Sequence, residues 1–165
     1  MRISKLALLG MTAMSFAGFA TQAHAADETG NASAEIQQAI AITEDTAMDF
    51  AVIVADPIGD TVTLTAANAI SAANSSTFSG ATAPGAFSVT GTPSAAVTIS
   101  FSSGDSLTGP GAAMALGTFT TDAGGSPAFD GSGDLSFNVG ANLGVNAAQV
   151  GGSYAGTYTL TVDYQ

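Results

Sequence analysis

Apolar and polar positions alternate near the end of the chain, and this alternation constrains the fold more than any other feature of the sequence. Successive side chains of a β-strand point to opposite faces, so a period of two predicts a strand with one buried and one solvated face. The other parity holds small or polar residues, chiefly threonine. The apolar parity consists of Tyr154, Gly156, Tyr158, Leu160, Val162 and Tyr164.

Shorter alternating segments recur through most of the chain, separated by clusters of Gly, Pro, Asn and Ser. No segment has a convincing helical period, so the pattern predicts an all-β sandwich or barrel of about seven or eight short antiparallel strands. Ile36, Ile40 and Ile42 mark the first of these strands. The others are expected at residues 48–54, 62–66, 87–89, 97–101, 114–119, 135–139 and 154–164.

Local turn signals sharpen three of these expectations. Gly91-Thr92-Pro93 separates two alternating runs, and we therefore predict that residues 87–89 and 97–101 form a hairpin. The run at 135–139 is expected to end before Gly140. The alanine-rich stretch from residue 66 to residue 79 is interpreted as a loop.

The first 25 residues have the three parts of a secretory signal peptide. Arg2 and Lys5 supply a positive start, residues 6–20 are apolar, and Ala23-His24-Ala25 is a small-x-small cleavage site. The apolar stretch is short for a membrane-spanning helix, which needs about 20 residues. We expect cleavage after Ala25 and export to the periplasm, cell surface or medium. Residues 26–33 are then a flexible start, and residues 34–165 a single domain.

Removal of this leader leaves a chain without a basic side chain. The two Lys or Arg residues and the single His all precede residue 26, whereas all thirteen carboxylates follow it. Binding to nucleic acid depends on Lys and Arg at the phosphates, so a nucleic-acid partner is excluded. Attraction to an anionic membrane surface fails for the same reason, and we expect no membrane insertion after cleavage.

The same composition argues against an enzyme and against a cofactor. Nucleophilic catalysis needs a base beside the nucleophile, and residues 26–165 contain no His, Lys or Cys. Zinc and copper sites need His or Cys ligands. Carboxylate pairs could still hydrolyse glycosides or peptides, but no Asp precedes a Thr-Gly or Ser-Gly pair and the chain has no Trp.

Calcium is the one metal for which the sequence offers a weak candidate site. Asp130, Ser132 and Asp134 place oxygen atoms at alternate positions of a Gly-rich segment. A calcium-binding EF-hand loop would need Gly at position 135 and Glu at position 141, where this chain has Leu135 and Ala141. A polar turn between two strands explains the same residues and is the preferred interpretation.

Four motifs in order resemble those of the bacterial domain-of-unknown-function family numbered four-four-zero-two. The chain departs from the family at Ala51 and at Ala141, where the family usually has Gly. The resemblance implies a secreted protein with an immunoglobulin-like, pilin-like sandwich and no established enzymatic activity, similar to spore-coat-U and chaperone-usher fimbrial subunits. The motifs are Ala47-Met48-Asp49-Phe50, Phe87 to Pro93, Asn138 to Leu143 and Gly152 to Tyr164.

This resemblance suggests how copies of the chain could interact. If the last strand lies at an open sheet edge, its residues Tyr158, Leu160, Val162 and Tyr164 could accept a strand from another molecule. The donor would be residues 34–43, with Ile36, Ile40 and Ile42 on its apolar face. Residues 34–43 could equally fold back as the first strand of their own domain.

The expected function is a non-enzymatic fimbria-like or surface-matrix subunit, in a homopolymer or with chaperone and usher partners. The alternative is a monomeric periplasmic or secreted module that binds calcium or carbohydrate.

Overall fold

The computed structural model describes residues 25–165, so the predicted signal peptide lies outside the described residues except for Ala25. Residues Ile36–Gln165 form one compact unit. Residues 25–35, taken by themselves, have exposed side chains and no regular secondary structure. Nowhere in the described range is there a helix of the length and apolar character needed to span a membrane.

The fold is all-β with antiparallel strands, as predicted. Eleven strands rather than seven or eight occur within residues 25–165, because the strands at 70–72, 77–79 and 105–107 have three residues each and are too short to show an alternation. In chain order the strands are β1 (Ala41–Thr46), β2 (Val52–Val54), β3 (Asp60–Leu64), β4 (Ile70–Ala72), β5 (Thr77–Ser79), β6 (Gly85–Thr90), β7 (Val97–Phe101), β8 (Asp105–Leu107), β9 (Met114–Thr121), β10 (Asp134–Val145) and β11 (Leu160–Tyr164).

The largest sheet has seven strands and is built around β10, which is 12 residues long. Residues 134–139 of β10 pair with β6, and residues 141–145 pair with β3. Asn142 pairs with Thr63 of β3 and with Gly117 of β9, so both edges of β10 are occupied there. Within residues 25–165, β1 pairs only with β6 and ends the sheet on that side.

Two smaller sheets complete the fold, one of β7 and β11 and one of β2 and β5. Val97 of β7 and Val162 of β11 are buried against Phe87 and Val139 of the large sheet. The two layers therefore share a core, which gives the fold its sandwich-like form. The alternation predicted for the end of the chain is confirmed, although β11 begins only at Leu160.

The predicted hairpin of β6 and β7 is wrong. β6 pairs with β1 and β10 in the large sheet, whereas β7 pairs with β11 in the other layer. The turn between them crosses from one layer to the other and is bonded to the residues before β10. The Gly91 N–H donates to Gly133 O at 2.9 Å, and the Ser94 N–H donates to Asp130 O at 2.9 Å.

Gly140 does not end a strand, contrary to the prediction. β10 continues through it to Val145 because the backbone of residues 64–66 passes directly over this position. A Cβ at Gly140 would collide with the carbonyl oxygen of Leu64. Glycine is therefore present for close backbone packing inside a strand rather than for a turn.

The segment before β2 departs from the expected alternation at Ala51. Its φ is 57°, a left-handed conformation that shifts the alternation of buried and exposed side chains by one residue. Phe50 is buried as predicted, but Val52 and Val54 are 59% and 62% exposed. The interpretation of residues 66–79 as a loop is also incomplete, since β4 and β5 lie within it and pair with β3 and β2.

The core consists of two groups of buried side chains. Met48, Phe119 and Tyr158 are partly buried and pack against both groups, so they join them into one interior. The first group is Phe50, Val62, Leu64, Met114, Leu116, Ala141, Leu143 and Val145. The second is Phe87, Val89, Val97, Phe129, Phe137, Val139 and Val162.

Candidate functional site

A groove of about 500 Å³ opens between β1 and the segment that leads into β11. Its lining is mostly apolar, and Glu44 is the one acidic side chain in it. Apolar clefts that the fold leaves uncovered are the usual places where proteins bind a partner. The lining residues are Ile42, Glu44, Ala47, Met48, Phe50, Phe87, Leu107, Leu116, Gly156, Thr157, Tyr158, Thr159 and Leu160.

The β11 strand has an unpaired backbone edge. On its paired side the Ser102 N–H donates to Thr159 O, and the Gln165 N–H donates to Ala96 O. Backbone groups alternate in direction along an antiparallel strand, so those of Leu160, Val162 and Tyr164 point away from β7. Among the described residues no strand pairs with that side. An extended segment could add there by ordinary strand pairing.

The opposite wall of the groove is β1, an exposed edge strand. All six of its residues are exposed, and its register with β6 is interrupted between Glu44 and Thr46. It is therefore attached mainly by backbone hydrogen bonds, helped by one from the Ser88 hydroxyl to the Asp45 carboxylate. An edge strand that buries so little apolar surface is among the first elements to open.

The predicted donor residues do not form one strand. β1 starts at Ala41, so Ile36 and Ile40 precede it and only Ile42 lies within it. Ile36 is 91% exposed, whereas Ile40 is partly buried against the second core group. Within this single chain residues 41–46 fold back onto their own β6. Donation of this segment to another molecule stays a prediction.

The predicted acceptor residues are placed together, with one exception. Leu160, Val162 and Tyr164 lie in β11 with their side chains toward the core, whereas Tyr158 precedes the strand. The ring of Tyr158 stacks on Phe119 with 4.9 Å between centroids. Its hydroxyl is buried without a hydrogen-bond partner in the described part of the chain. Burial, with a smaller contribution from Glu44, raises the pKa of Tyr158 to about 12.

The turn proposed for calcium is organised around Asp130. Its Oδ1 accepts the N–H groups of Ser132 at 2.7 Å and Asp134 at 2.9 Å. These bonds are the main reason that the pKa of Asp130 is lowered; burial opposes them, and a bond from Gly133 adds to them. The carboxylate thus holds the turn into β10. No group of three or more metal-ligating side chains occurs within residues 25–165, and a calcium role stays a prediction.

Asp60 belongs to no sequence motif, yet it accepts hydrogen bonds from three residues, Thr61, Asn74 and Ser76. It is 7% exposed and accepts the N–H groups of Asn74 at 2.8 Å and Ser76 at 3.0 Å. Burial is the largest influence on the pKa of Asp60 and raises it, because burial disfavours the charged form. Hydrogen bonds from the Ser76 hydroxyl and from the N–H groups of Asn74, Ser76 and Thr61 together outweigh burial and lower its pKa. Asp60 ties the loop between β4 and β5 to the start of β3.

The groove could not be predicted from the sequence. Its residues come from three distant segments, near residues 42–50, 87–116 and 156–160. They meet because β1 pairs with β6 while the end of the chain pairs with β7. The apolar parity of the last strand identified Tyr158 and Leu160, and the isoleucine spacing before residue 43 identified Ile42, but neither signal predicted that these residues line one groove.

The fold and the groove define a class: an all-β, sandwich-like protein with unpaired strand edges on both sides of an apolar cleft. Within that class, the chain belongs to the family described as Domain of unknown function (DUF4402), which it matches over residues 40–164. The family resemblance predicted from the four motifs is thereby confirmed. Comparison with curated proteins and with solved structures gives no match.

Proposed function

We propose that this protein is a non-enzymatic structural subunit of a fimbria-like or surface-matrix assembly, joined by β-strand complementation. The observation that carries the proposal is the unpaired edge of β11 beside the apolar groove. A strand laid along that edge gains backbone hydrogen bonds, and its alternate side chains enter the cleft. Leu160 belongs to both features, since it lines the groove and starts the free edge.

The occupant that we propose is the donor segment, residues 34–43 of a second copy. Its isoleucines are spaced so that Ile36, Ile40 and Ile42 fall on one face of an extended chain. Ile36 is nearly fully exposed in the single chain, so its burial in a groove is a gain that the isolated subunit does not have. Burial of one such side chain contributes about 1.5–3 kcal/mol.

The acidic, cation-free composition supports a structural rather than a catalytic role. Thirteen carboxylates follow residue 25, and the two with lowered pKa that are described above, Asp60 and Asp130, hold loops in place. Neither lines the groove. The groove offers binding surface and backbone edges, with Glu44 and the buried Tyr158 hydroxyl as its only titratable side chains.

Export is part of the same proposal. The leader of residues 1–25 would be removed behind Ala25, and assembly would take place in the periplasm or at the cell surface. Amino-terminal sequencing of protein recovered from the periplasm or medium tests this. A product that begins at Ala26 is expected; a product that retains Arg2 to Lys5 would contradict export by cleavage.

The assembly step is tested by Ile36→Asp, with Ile58→Asp as a matched control. Both isoleucines are exposed, at 91% and 78%, so neither change should unfold the subunit. Ile36 belongs to the donor segment and Ile58 to a turn outside the groove. Analytical ultracentrifugation should show polymers for the wild type and Ile58→Asp and monomers for Ile36→Asp. Equal polymerisation of all three would overturn the proposal.

A further inference from the structure

One hydroxyl group joins three separate segments of the chain. The Tyr164 Oη accepts the N–H of Thr92 at 2.8 Å and donates to the carbonyl oxygen of Gln38 at 2.6 Å. The Thr92 Oγ1 lies 3.2 Å from the same Oη and accepts the N–H of Gln38 at 2.7 Å. We call Gln38, Thr92 and Tyr164 the latch.

The surrounding residues fix the tyrosine ring in this position. The Phe129 and Tyr164 ring centroids are 6.0 Å apart. A Cβ at Gly91 would lie 2.5 Å from the Phe129 ring and 2.7 Å from the Tyr164 Oη, so only glycine leaves room for the contact. The Oη is thus held where it can reach both the turn after β6 and the chain ahead of β1.

The latch acts on a segment whose other attachments are those of an exposed edge strand. Gln38 lies between Ile36, which is exposed, and Ile40, which is partly buried. β1 follows at Ala41 with six exposed residues and an interrupted register. The hydrogen bonds at Gln38, the contact of Ile40 and the pairing with β6 are therefore the main attachments of residues 36–46 to their own subunit.

We propose that the latch keeps the donor segment on its own subunit and that its opening is the step that frees the segment for a second copy. This inference rests on the proposed function and names the regulation of that same site. The Tyr164 hydroxyl makes one hydrogen bond to the segment, so removing it should increase the open population by roughly 2- to 13-fold. Both the exposure of the segment and the rate of assembly should rise together.

The test compares Tyr164→Phe with Tyr154→Phe in the processed full-length protein. Tyr154 is the matched control because its Oη also makes two backbone bonds, donating to Val150 O at 2.7 Å and accepting the Gly111 N–H at 3.0 Å. Neither of these bonds involves a residue of the donor segment. Amide hydrogen exchange of residues 38–46 reports the latch, and light scattering reports assembly.

We expect Tyr164→Phe to speed exchange of residues 38–46 by roughly 2- to 13-fold and to bring the onset of assembly forward, while Tyr154→Phe does neither. Unchanged exchange in Tyr164→Phe would overturn the latch. Faster exchange with unchanged assembly in a protein that polymerises would overturn its gating role and leave the proposed function standing. Absence of polymers in every variant, with faster exchange in Tyr164→Phe, would overturn the proposed function and the gating with it.

Thr92→Val provides a second variant in case the tyrosine change disturbs the fold. It removes the Oγ1 that accepts the Gln38 N–H and keeps the Tyr164 ring in place. We expect Thr92→Val to change the protein in the same direction as Tyr164→Phe, with faster hydrogen exchange at residues 38–46 and earlier assembly. A Thr92→Val protein that matches the wild type in exchange would contradict the latch independently of Tyr164.

Discussion

At the scale of single residues, polar side chains in this fold hold loops and turns. Asp60 secures the loop after β4, Asp130 the turn before β10, and Tyr164 the chain ahead of β1. Ala51, by contrast, has a left-handed backbone conformation that is unfavourable for a residue with a Cβ. A left-handed φ costs a non-glycine residue roughly 1–2 kcal/mol.

Replacing Ala51 with Gly should therefore stabilise the protein. The φ of 57° is relaxed in glycine, and the added entropy of the unfolded chain offsets only part of that gain. We expect the free energy of unfolding to rise by about 0.5–1 kcal/mol in guanidinium denaturation. Ala115→Gly, at an exposed position of β9, is the control and should lower it by a similar amount. A loss of stability in Ala51→Gly would refute the assigned strain.

Asp60 predicts a defined acid sensitivity. Its pKa is lowered below the ordinary 3.8, so the ionised form stabilises the fold above that pH, and the contribution is lost as pH falls through the lowered value. Asp60→Asn should lower the Tm at pH 7 and flatten its dependence below 3.8, because the amide cannot accept both the Asn74 and Ser76 bonds. Thermal melts from pH 7 to 3 measure this, with the exposed Asp163→Asn as control. A steep acid slope retained in Asp60→Asn would contradict it.

At the scale of elements, the sequence predicted long alternating strands well and their partners poorly. The parity of Leu160, Val162 and Tyr164 was predictable because one face of β11 lies over the core. The β6–β7 hairpin was wrongly predicted because Gly91-Thr92-Pro93 is equally compatible with a crossing between layers. The groove depends on such long-range pairing, so Ile42, Tyr158 and Leu160 could be identified from the sequence but their meeting in one groove could not. The three-residue strands β4, β5 and β8 are defined by their neighbours and have no local signal of their own.

Truncation separates the roles of the two parts of the N-terminal region. Deletion of residues 26–35 should leave the Tm unchanged, because these residues are exposed and lack regular structure. Deletion of residues 26–43 also removes half of β1 and uncovers the edge of β6 at Ser88, Val89 and Thr90. That product should aggregate or fail to fold, since an unprotected edge is open to pairing. Size-exclusion chromatography compares the two, and a stable monomer from the longer deletion would show that β1 is dispensable.

At the scale of the whole molecule, one core supports two layers, and the charge of the processed chain has a single sign. The side chains after residue 25 carry thirteen negative charges and no positive one, so contact between copies brings like charges together. Strand pairing over an apolar groove is a form of association that needs no ion pair. Its strength should therefore depend on how well the repulsion is screened.

Assembly should become faster as salt increases. Raising NaCl from about 0.05 M to about 0.5 M shortens the screening distance severalfold and reduces repulsion between approaching copies. Light scattering at fixed protein concentration should show an earlier onset and a higher rate. Sucrose at matched viscosity is the control, because it leaves the charges unscreened. Slower assembly in high salt would indicate attractive charge pairing and would contradict this account.

The central claim is that copies of this chain complete one another's sheets, and electrophoresis of the processed full-length protein tests it most directly. Strand-complemented subunits share continuous backbone hydrogen bonding, which should survive SDS without heating. The account predicts a regular ladder in the unheated sample that collapses to one monomer band after boiling. A single monomer band in both samples, with a monomeric mass by ultracentrifugation at every concentration, would contradict it.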